Sequence, residues 1–221
     1  MKQAVIFDLD GTLVDSCGIC LDIIEAMLID RGFDRKIDPV DARPLMSRGG
    51  QSMVSTLLGQ AGRDPSSDLA EFRERYSCTT TPVDALFDGV ATGLQALSGK
   101  GFKLAICSNK PQSLCELAIR DTGIADHFLA VVGGTPGLAP KPAPDLLDAT
   151  LAQLGLRAEA CIYVGDSELD HAVAERAGMP FHFLTYGYAH PGWSPTASTV
   201  HDDFTSLTRA LLSQRPVDLA A

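Results

Sequence analysis

The first residues have the pattern of a short strand. Lys2–Phe7 is rich in β-forming side chains and ends at Asp8, and Gly11 allows a turn just beyond it. The period then changes. From Ser16 to about Tyr76 apolar residues recur at helical spacing in CLDIIEAMLIDRGF, in QSMVSTLLGQAG and in SDLAEFRERY, whose leading Ser and Asp suit an N-cap. No strand pattern interrupts this block, and the Thr- and Pro-rich CTTTPVDALFDGV, Cys78–Val90, reads as the linker out of it. Beyond the linker the two periods take turns: helix GVATGLQALSGKG, strand FKLAICS, helix QSLCELAIRDTG, strand HFLAVVGG, helix APDLLDATLAQLG, strand ACIYVGD, helix DHAVAERAG, strand PFHFLTY. Strands alternating with helices predict right-handed βαβ crossovers and a parallel sheet covered on both faces. Lys2–Phe7 belongs to the same sheet. The predicted fold is therefore α/β: a doubly wound, Rossmann-like parallel-sheet core from residues 1–15 and 83–221, with a helical cap inserted at 16–82 and hinged on two linkers. No internal repeat is visible, and the final SQRPVDLAA is expected to fray.

Composition narrows the partners. The 221 residues are 45% hydrophobic, enough for a sizeable core. Asp and Glu outnumber Lys and Arg by 28 to 18, a net charge of −10, which argues against nucleic acid and against an anionic membrane. An anionic substrate would need a locally positive pocket. No basic-then-apolar leader opens the chain and no apolar run approaches the roughly 20 residues of a membrane span, so a cytoplasmic location is expected. Of the six cysteines only Cys17 and Cys20 have a Cys-x-x-Cys spacing. No second pair or His-x₃₋₅-His accompanies them to complete a zinc site, and reduced, structural thiols are expected.

The chemistry gathers at the predicted strand ends, where open α/β sheets bind ligands. Asp8 and Asp10 follow the first strand, Ser108 and Asn109 follow LAIC, Lys141 lies in APKPAP, and Asp166 and Asp170 lie in VGDSELD. Carboxylates this close repel one another and take up protons unless a cation neutralises them, and an all-oxygen donor set suits Mg²⁺ rather than zinc. A carboxylate in line with phosphorus can act as a nucleophile, while a second aspartate protonates the leaving oxygen and later accepts a proton from water. Lys141 and the Ser108 hydroxyl suit the phosphoryl oxygens. Ser108 and Asn109, with Pro111 just inside the following helix, also read as a helix N-terminus, which is itself an anion site.

These motifs resemble those of the haloacid dehalogenase superfamily, in its phosphatase branch. DLDGT (8–12), SNKP (108–111), KPAP (141–144) and GDSELD (165–170) match the four motifs of that superfamily in order, across nearly the whole chain. The resemblance implies Asp8 as nucleophile, Asp10 as acid/base, and Mg²⁺ held by Asp8, the Asp10 backbone carbonyl and Asp166, with Asp170 supporting the metal or Lys141. The helical insert, the SNKP form of the second motif, DGV before the third segment and YGY at 186–188 most resemble phosphoglycolate phosphatases. A small phosphorylated metabolite, 2-phosphoglycolate by preference, is the implied substrate of a monomer or homodimer. Leu169 stands where relatives often carry Asn, and Ser108 where they often carry Thr.

Other readings remain at this level. A sugar phosphate phosphatase or phosphomutase of the same superfamily is one, although the usual cap histidine is missing, since no histidine precedes His127. A phosphoacceptor, receiver-like signalling module is another, but it lacks both a helical insert and a second aspartate two positions on. The five histidines and Trp193 read as structural. In the cap segment DARPLMSRGGQS, Arg43 and Arg48 are candidates to recognise a second negative charge on the leaving group, the flanking Gly49 and Gly50 suiting a ligand-binding loop.

Overall fold

The computed structural model describes residues 2–213, so the expectation for the C-terminal tail falls, but for Ser213, outside the described residues. In chain order the elements are β1 (Ala4–Phe7), α1 (Cys17–Asp30), α2 (Pro39–Met46), α3 (Gly50–Leu58), α4 (Pro65–Ser77), α5 (Val90–Gly99), β2 (Lys103–Pro111), α6 (Gln112–Asp121), β3 (Phe128–Gly134), α7 (Asp145–Leu154), β4 (Cys161–Gly165), α8 (Glu168–Arg176), β5 (Phe181–Leu184), β6 (Thr199–His201) and α9 (Phe204–Leu212). All strand pairs are parallel, in the order β3-β2-β1-β4-β5-β6. The chain winds outward from β1 in one direction and then from β4 in the other. The switch point therefore lies at the carboxyl ends of β1 and β4, where a crevice must open.

Alternation along the buried strands sends side chains to two separate layers. Val5, Phe7, Leu104, Ile106, Ile162 and Val164 pack with α5, α6 and α9, whereas Ala4, Ile6, Ala105, Cys107, Cys161 and Tyr163 pack with α7 and α8. Register aligns the ends: Phe7 pairs with Ile106 and with Val164, which sets Asp8 beside the residues following both neighbours. The helices of the insert close around a third cluster, including Ile24, Met27, Leu28, Val54, Leu58 and Tyr76, which also takes in Leu114 and Tyr188 from the sheet side. The two connections to the insert run together. Asp15 N–H donates to Ala85 O at 2.7 Å, Phe87 N–H donates to Leu13 O at 3.1 Å, and Val14 bridges Leu86 antiparallel.

Four differences from the sequence pattern have local causes. The insert holds four helices rather than three, because Asp38 caps Pro39–Met46 by accepting from Val40 N–H, with Pro39 in the first turn, where it lacks no needed donor. β2 runs on to Pro111, so that proline is the N-cap of α6 rather than a residue inside it. A sixth strand, β6, is only three residues long, too short to show a period. The helix after it buries Phe204, Leu207, Thr208 and Leu211 at helical spacing, behind an Asp203 cap that accepts from Ser206 N–H.

Candidate active site

Every strand-end residue singled out above borders one open cleft between the sheet and the insert, except Asp170, which lies just beneath it. Asp8 is buried beyond β1, where its Oδ1 accepts from Leu9 N–H at 2.7 Å. Gly11 turns the chain back at φ +81°. A Cβ there would stand 2.3 Å from Asp166 Oδ2, so only glycine allows this approach. Asp166, buried at the end of β4, is held on both oxygens: Thr12 Oγ1 donates to Oδ1 and Tyr188 N–H to Oδ2, each at 2.7 Å.

Lys141 is buried among oxygens. Its Nζ lies 2.6 Å from Asp170 Oδ1, 3.0 Å from Asp8 Oδ1 and 3.0 Å from Cys107 O. Burial works against the ammonium, but Asp170 and then Asp8 outweigh it and hold its pKa above the usual lysine range. Asp170 is further fixed by a capping box with Ser167, whose hydroxyl donates to Oδ2 at 2.6 Å. Both Asp170 oxygens are thus occupied, one by Lys141 and one by Ser167. Asn109 lines the cleft, and its side chain clamps the lysine loop: its Nδ2 donates to Lys141 O at 3.1 Å and its Oδ1 accepts from Lys141 N–H at 2.7 Å. Ser108 is 2% exposed and lines the cleft beside Asp8.

The charges of the site are unbalanced. Burial pushes the Asp8 carboxyl up to about 6, against the pull of Lys141. Burial, then the charges of Asp170 and Asp8, raise Asp166 well above the carboxylate range. Asp8, Asp10, Asp166 and Asp170 face Lys110 and Lys141, a surplus of two negative charges of the size a divalent cation balances. Asp8, Asp166 and Asp170 each bring an oxygen within 4.8 Å of the others, and a hard, all-oxygen set fits Mg²⁺.

Neither arginine of the DARPLMSRGGQS segment lines the cleft. Arg43 lies in α2 and is turned toward the linkers, where Nη1 meets Asp15 Oδ2 at 2.9 Å, Nη2 donates to Tyr186 O at 3.0 Å, and the guanidinium lies 5.0 Å from the Tyr188 ring centroid. Arg48 is exposed, while its neighbours Ser47, Gly49 and Gly50 do border the cleft. The insert contributes instead Met46, Met53, Leu69, Phe72 and Tyr76, a mainly apolar wall, with Arg73 at its exposed rim. Sequence reasoning also missed Lys110, whose Nζ lies 3.1 and 3.3 Å from the two Asp10 oxygens. Its only signal was its place inside the SNKP motif. Cys17 and Cys20 are free and buried, and burial pushes their thiols up to about 11 and about 12, in keeping with unreactive, reduced groups.

A doubly wound parallel sheet that opens its strand ends toward an inserted helical layer is the build of a capped, Rossmann-like α/β protein. Residues 5–184 narrow this to one family: they match that of the haloacid dehalogenase-like hydrolases, and the chain belongs to it. It is 36% identical over 210 residues to a phosphoglycolate phosphatase of Rhodobacter capsulatus, covering 91% of this chain and 94% of the relative. With a phosphoglycolate phosphatase of Rhodospirillum rubrum the identity is 33% over 217 residues, covering 94% and 90%. Among solved structures it superimposes with a TM-score of 0.80 on a predicted phosphoglycolate phosphatase from Haemophilus somnus, at 26% identity and over 95% of this chain and 98% of that one. No helix among the described residues is long and apolar enough to cross a membrane.

Proposed function

We propose that the protein is a Mg²⁺-dependent phosphomonoester hydrolase that works through an aspartyl-phosphate on Asp8 and takes a small phosphorylated acid, best 2-phosphoglycolate, as substrate. The observation that carries this reading is the burial of Asp8 at the switch point, 3.0 Å from the Lys141 ammonium and with a carboxylate oxygen of the buried Asp166 within 4.8 Å of its own. Asp8 attacks phosphorus, and the leaving oxygen departs from the opposite side. Asp10, two residues on and 26% exposed in its side chain, protonates that oxygen and then takes a proton from the water that hydrolyses the acyl phosphate. Lys141 and Ser108 hold the phosphoryl oxygens as charge spreads over them, and Asp170 and Asn109 keep Lys141 in place from either side. Asp8, the Asp10 backbone carbonyl and Asp166 would hold Mg²⁺, which when bound would neutralise the clustered negative charge. Residues 16–82 act as a cap over a core of residues 1–15 and 83–221. The protein works in the cytoplasm as a monomer or homodimer.

The relatives named phosphoglycolate phosphatase support the substrate, and the apolar cap wall suits a leaving group as small as glycolate. The test is phosphate release from 2-phosphoglycolate with Mg²⁺, with excess chelator, and with Mg²⁺ restored. Turnover that survives the chelator would remove the metal from the mechanism, and no turnover on any small phosphomonoester would remove the mechanism itself.

A further inference from the structure

If the substrate is a phosphorylated acid, as proposed above, its carboxylate needs a cationic partner distinct from the phosphoryl site. Three cations border the cleft: Lys141, Lys110 and Arg73. Lys141 is enclosed by Asp8, Asp170 and Cys107 O, and Arg73 is exposed at the rim, where water screens it. Lys110 remains. Its side chain is 6% exposed, and its ammonium lies between Asp10 and the face of Tyr76, 4.0 Å from the ring centroid. Tyr76 comes from α4 of the insert, is 1% exposed, borders the cleft, and has a buried hydroxyl with no hydrogen-bond partner among the described residues. A buried donor left unpaired costs about 1–3 kcal/mol, and a ligand oxygen would relieve it.

We infer that Lys110 and Tyr76 together form a carboxylate-recognition subsite for the leaving group, built where the sheet meets the insert. The Lys110 ammonium binds the substrate carboxylate, and the Tyr76 hydroxyl donates a second bond to it. Lys110 is shared between two acids. Without substrate it is paired with Asp10. When the substrate carboxylate draws it away, Asp10 loses the cation that favours its anion, takes up a proton from solvent, and can pass that proton to the leaving oxygen. A phosphomonoester with a neutral leaving group leaves Asp10 tethered, so the pairing favours acids in turnover as well as in binding.

The subsite is tested by comparing kcat/KM on 2-phosphoglycolate and on phenyl phosphate for the wild type, Lys110→Met, Lys110→Arg and Tyr76→Phe, with calorimetric binding of glycolate to each. Lys110→Met keeps the stem against the ring, and Tyr76→Phe keeps the ring itself. A charge-assisted bond corresponds to about 10- to 150-fold, so the acid-to-neutral ratio should fall by that factor in Lys110→Met and by about 10-fold in Tyr76→Phe. Lys110→Arg should retain most of it. Glycolate binding should weaken in parallel. Equal losses on both esters would assign Lys110 to Asp10 alone and overturn the subsite, as would an unchanged ratio. If the wild type turns over neither ester, the phosphatase reading fails by itself. Glycolate binding then decides the subsite: a 10-fold loss in Lys110→Met upholds it and none overturns it.

Discussion

Removing the charge of Asp8 should stabilise the protein. The carboxyl is buried, and burial raises its pKa from the ordinary 3.8 to about 6 even with Lys141 at 3.0 Å. Because the folded pKa lies above the unfolded one, the stability linked to its proton is fully present below pH 3.8 and is lost as pH rises through 6. At pH 7.5 the wild type has given up roughly 3 kcal/mol, the free energy equivalent of the gap between 3.8 and about 6. Asn has the shape of the protonated acid and carries no charge to desolvate. Asp8→Asn in the presence of chelator should therefore be about 2–4 kcal/mol more stable than the wild type at pH 7.5, with Tm raised by roughly 4–16 °C, and the difference should shrink as pH is lowered toward 4. Urea unfolding followed by circular dichroism across that range measures it. Adding Mg²⁺ should recover stability in the wild type, about 2.7 kcal/mol at a hundred times its Kd, and much less in the variant. A variant no more stable than the wild type at pH 7.5 would refute the reasoning: the buried charge would be compensated by the protein, and the case for a cation would lose its electrostatic basis.

Acid-quenched enzyme from a ³²P-substrate should carry label in the wild type and none in Asp8→Asn, whereas Asp10→Asn should bind substrate and turn over roughly 10²–10⁴-fold more slowly. Label on Asp8→Asn would place the nucleophile elsewhere. Gly11→Ala must push a Cβ toward Asp166, which Thr12 and Tyr188 hold in place, and should cost about 1–3 kcal/mol together with most of the activity; a neutral effect in urea would show that the turn can yield. His182 Nδ1 lies 2.9 Å from His201 Nε2, and burial, then His201, holds its pKa down to about 4. Its unfolded form binds the extra proton, so stability should fall by about 1–2 kcal/mol between pH 7 and pH 5, and His182→Gln should remove that part of the slope. Arg43 and Asp15 are each about a third exposed, so Arg43→Ala should cost less than about 1 kcal/mol in stability and lower kcat/KM equally on acidic and neutral esters. A selective loss on the acid would return Arg43 to substrate recognition.

Local pattern was enough for five of the six strands and for most of the polar residues at their open edge. Short, continuously apolar runs such as AVIF and CIYV are buried on both faces as inner parallel strands, and the polar residue that follows each run lies at a carboxyl end, where Asp8 and Asp166 are found. Asp170 was legible for the same reason, one helical turn after Asp166. What local pattern does not carry is which distant side chains meet. Lys110 and Asp10 are a hundred positions apart, and their pairing follows from the register of β1 on β2 and the extension of β2 to Pro111. Tyr76 reaches Lys110 only because α4 packs back on the sheet side of the insert. Arg43 and Arg48 looked free in a glycine-flanked segment, yet one capping aspartate and one N-terminal proline wound its first half into α2, which turned Arg43 onto Asp15 and left Arg48 exposed in the turn that follows. Capping and strand period are decided within a few residues. The partner of a buried charge is decided by the closure of long loops and the packing of whole elements, and only the tertiary structure holds that information.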